Sequence, residues 1–70
     1  MTITIESSIA RWEVLYDFGF ITQGQAYVVG LMRCNLAAHD RTSLTLPIEQ
    51  YERMRDKIGA SRFDSAVTVK

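Results

Sequence analysis

The chain has 70 residues, of which 47% are hydrophobic and 23% are charged, and its eight basic and eight acidic side chains leave no formal net charge. This composition predicts one globular domain, residues 1–70, and argues against a disordered chain. The charge balance also argues against non-specific nucleic-acid binding, because that affinity comes mainly from neutralising phosphates.

A chain of this size has little stability to spare. Ordering costs about 1.5 kcal/mol per residue, and burial of one small apolar core roughly cancels that cost. The single cysteine, Cys34, cannot close an intrachain disulfide, and together with the single histidine, His39, it supplies too few ligands for a structural zinc. We therefore expect association with another protein, or with a second copy as a homodimer, and we expect no metal.

The location expected from the sequence is the cytoplasm. The N-terminus lacks the basic leader and apolar stretch of a signal peptide, and the longest apolar run, residues 26–32 with Gly30 inside it, is too short to span a bilayer.

The first third of the chain shows the alternation typical of strands. Residues 2–6 alternate polar and β-branched apolar side chains, and a longer alternation follows over residues 9–20. One parity holds Ala10, Trp12, Val14, Tyr16, Phe18 and Phe20; the other holds Ile9, Arg11, Glu13, Leu15, Asp17 and Gly19. We predict two strands, the second with its aromatic face in the core. A helix capped by Ser8 is the alternative.

The middle of the chain is ambiguous. Residues 22–25 are typical of a turn in which Gly24 adopts a positive φ, and residues 25–35 are interpreted as a strand that forms a hairpin. Residues 31–38 suit a helix equally well, and Thr22 with Gln25 matches a capping box.

The clearest element is a helix over residues 47–58. Pro47 suits a first helical turn, and a narrow apolar stripe follows, formed by Ile48, Tyr51, Met54 and Ile58. Glu52 and Arg55 are spaced to form an ion pair, and Gly59 suits the C-terminal cap. A loop over 37–42 and a short strand over 43–46 precede this helix, and residues 66–69 suit a closing strand.

These elements predict an α+β fold. We expect a small antiparallel sheet of three to five strands with one amphipathic helix, about 47–58, packed on one face.

Catalytic groups are sparse. Cys34 and His39 are conceivable as a nucleophilic pair, but we interpret them as a small hydrophobic residue and a solvated loop histidine. The spacing of Gly19, Gly24 and Gly30 matches no phosphate-binding loop. We therefore predict a non-enzymatic chain without a cofactor.

The function predicted from these observations is protein binding. On the strand interpretation, Ile9, Arg11, Glu13 and Leu15 face outward, and exposed aliphatic residues beside charges are typical of an interface. We expect an inhibitor, adaptor or regulatory subunit, of a kind common among phage and mobile-element products.

Residues 41–62 carry the alternative function. A short strand leads through Leu46 and Pro47 into an amphipathic helix, followed by a Gly turn and Ser61, and this order resembles the start of a ribbon-helix-helix repressor. The resemblance implies a DNA-binding dimer in which Arg41, Ser43 and Thr45 pair with a partner strand and face the major groove. Only eight residues follow Arg62, and they look strand-like, so we expect no second helix.

Overall fold

The computed structural model describes residues 1–33 and 36–70. Its elements are, in chain order, β1 (Thr2–Ser8), α1 (Ile9–Asp17), α2 (Gln23–Val28), β2 (Arg41–Pro47), α3 (Ile48–Ile58), α4 (Ala60–Ala66) and β3 (Thr68–Val69). The predicted α+β class is confirmed, since the three strands form one antiparallel sheet. Within those residues the chain forms four helices rather than the one expected.

β1 is the central strand of the sheet, in the order β2-β1-β3. It pairs along its whole length with β2, from Thr2 opposite Pro47 to Ser8 opposite Arg41, and its middle pairs with β3. Side chains alternate between the two faces of a strand, so one face of β1 and β2 carries Ile5, Leu44 and Leu46, all buried. Contacts made by the helices with β1 and β2 place the core on this face.

The strand predicted over residues 9–20 is wrong. Residues 9–17 form α1, and Ser8 caps it by accepting a hydrogen bond from the backbone N–H of Arg11 at 3.3 Å. The buried residues Ile9, Trp12 and Leu15 recur every three positions, a helical spacing that the alternation of aromatic residues obscured. Only one stripe of side chains along α1 faces the core, whereas a strand would have buried every second side chain.

The strand and hairpin predicted over residues 25–35 are also wrong where the structure describes them; positions 34 and 35 lie outside the described residues. The capping box decides the local structure: Thr22 Oγ1 accepts from the Gln25 N–H at 3.1 Å, and Gln25 Oε1 accepts from the Thr22 N–H at 2.9 Å. α2 then buries Ala26 on the core. Gly24 lies inside this helix and does not have a positive φ.

The C-terminal part follows the prediction more closely. The strand before Pro47, the helix α3 and the closing strand are confirmed, although β3 spans only two residues. The expectation that no second helix follows is wrong. Gly59 breaks the chain direction with φ +104°, and α4 then buries Phe63.

The core is a single cluster between the sheet and the helices. Its buried members are Ile5, Trp12, Leu15, Ile21, Ala26, Val29, Leu44, Leu46, Met54, Phe63 and Val67. None of the helices within residues 1–33 and 36–70 is both long and apolar enough to cross a membrane.

Candidate functional site

The four residues predicted to bind protein do not form one surface. Ile9 is 7% exposed and Leu15 is 2% exposed, so the outward orientation that the strand interpretation gave them is wrong. Arg11 and Glu13 are exposed, but residues two positions apart in a helix are separated by about 160° around its axis. They therefore point in nearly opposite directions.

A groove does form along another stripe of α1. The helix contributes Arg11, Val14, Leu15 and Phe18, spaced by three, one and three residues, so that they share one face. The opposite wall comes from the end of α3, from α4 and from the residue after it, and consists of Ile58, Arg62, Phe63, Ala66 and Val67. We call this surface the α1–α4 groove.

The groove has a buried floor and an exposed apolar rim. Leu15, Phe63 and Val67 are each at most 5% exposed and close the bottom, whereas Val14 is 41% exposed and Phe18 is 74% exposed. The cavity measures about 180 Å³. Sites for drug-sized molecules measure about 300–1,000 Å³, so this cavity suits one or two side chains of a partner better than a free small molecule.

Both charged side chains that line the groove are arginines, Arg11 and Arg62. The nearby acid of α4, Asp64, is already engaged by Arg55, whose Nε and Nη2 donate to its two carboxylate oxygens at 3.1 and 3.0 Å. This hydrogen-bonded pair lowers the pKa of Asp64 and raises the pKa of Arg55. The groove is thus apolar with a positive rim.

The sequence pattern that indicates this groove was not recognised, because residues 9–17 were interpreted as a strand. Once Ser8 is accepted as an N-cap, helical spacing from Arg11 gives Val14, Leu15 and Phe18 as one face. Arg62 could not be found in this way, since its helix was not expected.

A second concavity lies along α3 and is larger, about 600 Å³, but open and mostly polar. Its lining residues are Ile48, Tyr51, Glu52, Arg55, Asp56 and Ala60. The ion pair expected between Glu52 and Arg55 is replaced by the Arg55–Asp64 pair, which joins α3 to α4. Across the described part of the chain, no cluster of three or more His, Cys, Asp or Glu side chains is arranged to hold a metal ion.

Arg41, Ser43 and Thr45 lie together on the face of β2 opposite the core. In their environment one acid is shared by two bases, because Arg41 Nε donates to Glu6 Oε1 at 2.9 Å and Lys70 Nζ lies 2.9 Å from Glu6 Oε2. The hydrogen bonds from Arg41 and Lys70 lower the pKa of Glu6.

β2 is also an edge strand with one unpaired side. The Ile9 N–H donates to the Asp40 carbonyl at 2.7 Å, which extends the β1–β2 register by one step. Because alternate residues of an antiparallel strand bond to the same neighbour, the backbone groups of Arg41, Ser43 and Thr45 point away from β1. No strand within residues 1–33 and 36–70 pairs with this edge, which therefore offers its backbone groups to a further strand.

His39 is exposed in the loop before β2, and Cys34 lies outside the described residues. Comparison with protein-family models, with curated proteins and with solved structures finds no significant match to this chain.

Proposed function

We propose that this chain is a non-enzymatic protein-binding module, an inhibitor, adaptor or regulatory subunit, and that the α1–α4 groove is its contact surface. The observation that carries the proposal is the placement of Phe18, which is 74% exposed beside an apolar cavity with a buried floor. A large aromatic side chain left in water next to a cavity favours an interface, because burial of such a residue dominates binding energies.

Chain size supports the same proposal. Seventy residues bury one small core, and a partner that binds only the folded state adds stability by mass action. The single cysteine, which cannot pair within the chain, supports a cytoplasmic setting for this activity.

The test is site-specific photo-crosslinking in cells that produce the protein. A benzophenone amino acid replaces Phe18 in the groove or, as the control, Tyr27, which is 71% exposed on α2 and outside it. We expect one protein to be crosslinked from position 18 and not from position 27. Equal crosslinking from both positions, or none from position 18, would contradict the groove as the contact surface.

DNA binding is the second candidate function. The order of β2, α3 and α4 favours it, since the strand, helix and second helix of the resemblance are all present. It requires two copies to pair through the open edge of β2. Binding should then fall steeply with salt, and Arg41→Ala should weaken it. A gel shift that Arg41→Ala leaves unchanged removes this candidate.

A further inference from the structure

Building on the proposed function of the groove, we infer that its partner presents an acidic segment: one or two bulky apolar side chains flanked by Asp or Glu. The apolar side chains fill the cavity between α1 and α4, and the carboxylates meet Arg11 and Arg62 at its rim. The chemistry of the partner follows from the charges around the groove and from the position of each arginine in its helix.

Arg11 and Arg62 occupy equivalent positions. Each is the third residue of its helix, α1 or α4, and neither helix has an acidic residue in its first turn. A cation there is opposed by the positive end of the helix dipole, where Asp or Glu is favoured. Neither arginine belongs to the three ion pairs formed within residues 1–33 and 36–70. Within those residues neither guanidinium forms an ion pair or a hydrogen bond that would compensate for this unfavourable position. Such an uncompensated departure from a local stability rule is expected at functional sites.

Of the acids on α1, Glu13 points away from the groove, whereas Asp17 is three positions, or about 60° around the helix axis, from Val14 at its edge. Glu13 and Asp17 are two and six positions from Arg11, which places them about 160° and 120° from it around α1. Asp64 is two positions from Arg62 and is held by Arg55. Neither Arg11 nor Arg62 is therefore ion-paired with an acid of its own helix, although the chain as a whole is neutral.

The cavity sets the apolar part of the partner. At about 180 Å³ it holds one or two side chains, and its floor of Leu15, Phe63 and Val67 offers no charge to pair with a cation. A basic segment would bring like charges against Arg11 and Arg62, which disfavours it. An acidic segment with bulky apolar side chains can pair its carboxylates with the arginines of the rim and place its apolar side chains on the apolar floor.

The probe is a phage-displayed library of random 16-residue peptides, selected on the purified full-length chain. The charge variant is Arg11→Glu with Arg62→Glu. Glu is favoured at the third position of a helix, so both replacements should preserve α1 and α4. The matched control is Arg33→Glu with Arg53→Glu, which makes the same change in net charge at exposed positions outside the groove. A third variant, Phe18→Ala, removes the exposed apolar rim.

We expect selected peptides rich in Asp and Glu beside Leu, Phe or Trp. As synthetic peptides they should lose about tenfold or more in affinity for the charge variant and for Phe18→Ala, and little for the control. Selected peptides that are neutral or basic, but whose binding is still weakened by Phe18→Ala, would contradict the acidic chemistry of the partner while supporting the groove as the binding surface. Peptides insensitive to Phe18→Ala, or no selected peptides at all, would overturn the groove and the proposed function together.

Discussion

The indole Nε1 of Trp12 donates a hydrogen bond to the backbone carbonyl oxygen of Thr42 at 3.2 Å. This contact joins α1 to β2 across thirty residues of sequence, and the side chain of Trp12 is fully buried. Beside it, the N–H of Ala10 donates to the carbonyl of Ala38 at 3.0 Å. α1 is therefore anchored at its start, and the wall of the groove that it forms is held in place.

Trp12→Phe should destabilise the fold. The substitution removes the hydrogen bond to Thr42 and leaves a void in the core, with an expected loss of about 1–3 kcal/mol in the free energy of unfolding. Urea titration followed by far-UV circular dichroism measures it. Tyr27→Phe, at an exposed position, should change the same quantity by less than about 0.5 kcal/mol. Equal stability of the two variants would show that the indole contact contributes nothing.

Gln25→Ala should cost more than Thr22→Ala. Thr22→Ala removes one half of the capping box, typically about 1 kcal/mol. Gln25 also exchanges two amide hydrogen bonds with Gln50, at 2.8 and 2.6 Å, which tie α2 to α3. Gln25→Ala therefore removes the other half of the capping box, the bond from the Thr22 N–H to Gln25 Oε1, together with this tie.

Thermal unfolding compares the stability of three variants: Thr22→Ala, Gln25→Ala and, as the control, Gln23→Ala. Gln23 is exposed at the start of the same helix. If Gln25→Ala proves no worse than Gln23→Ala, α2 is not held by these bonds.

Two glycines should respond to alanine in opposite directions. Gly24 lies within α2, where an added Cβ would meet only Thr22 Oγ1 at 3.9 Å, so Gly24→Ala should stabilise the protein by about 0.4–1 kcal/mol. Gly59 has φ +104°, so Gly59→Ala should destabilise it by about 1–3 kcal/mol despite the open space around it. Chemical denaturation of both variants measures the signs. Destabilisation by Gly24→Ala would indicate that residues 22–25 form a turn after all.

Glu6 should make stability depend on pH under acid conditions. Its pKa is lowered in the folded state by Arg41 and then by Lys70. The unfolded chain therefore binds the proton more readily, and the stabilisation is present above the ordinary pKa of about 4.3 and lost as pH falls below it. Glu6→Gln should be less stable than the parent at pH 7, and the difference should shrink towards pH 2.

The control for this titration is Glu13→Gln, which changes an exposed carboxylate outside the three ion pairs of the described residues. Its stability relative to the parent should vary less between pH 7 and pH 2 than that of Glu6→Gln. The same pH dependence in both variants would contradict a specific role for the Glu6 ion pairs.

The sequence predicted the elements whose local signals agree. In α3 the apolar stripe, Pro47 and Gly59 all indicate one helix, and residues 2–6 show only strand alternation. It failed over residues 9–28, where aromatic and β-branched side chains favour strands while Ser8 and Thr22 supply helix caps. The caps decided the outcome because α1 and α2 each present a buried residue to the core, Trp12 and Ala26. The groove could not be predicted, since α4 was not expected.

The measurement that tests the central claim most directly compares Val14→Glu with its neighbour Leu15→Glu. Leu15 is 2% exposed, so Leu15→Glu buries a charge and should unfold the chain. Val14 is 41% exposed at the groove, so Val14→Glu should keep the far-UV circular dichroism spectrum of the folded chain. The same variant should abolish crosslinking from position 18. A folded Leu15→Glu variant would contradict the orientation of α1. A folded Val14→Glu variant that still crosslinks its partner would contradict the groove as the binding surface.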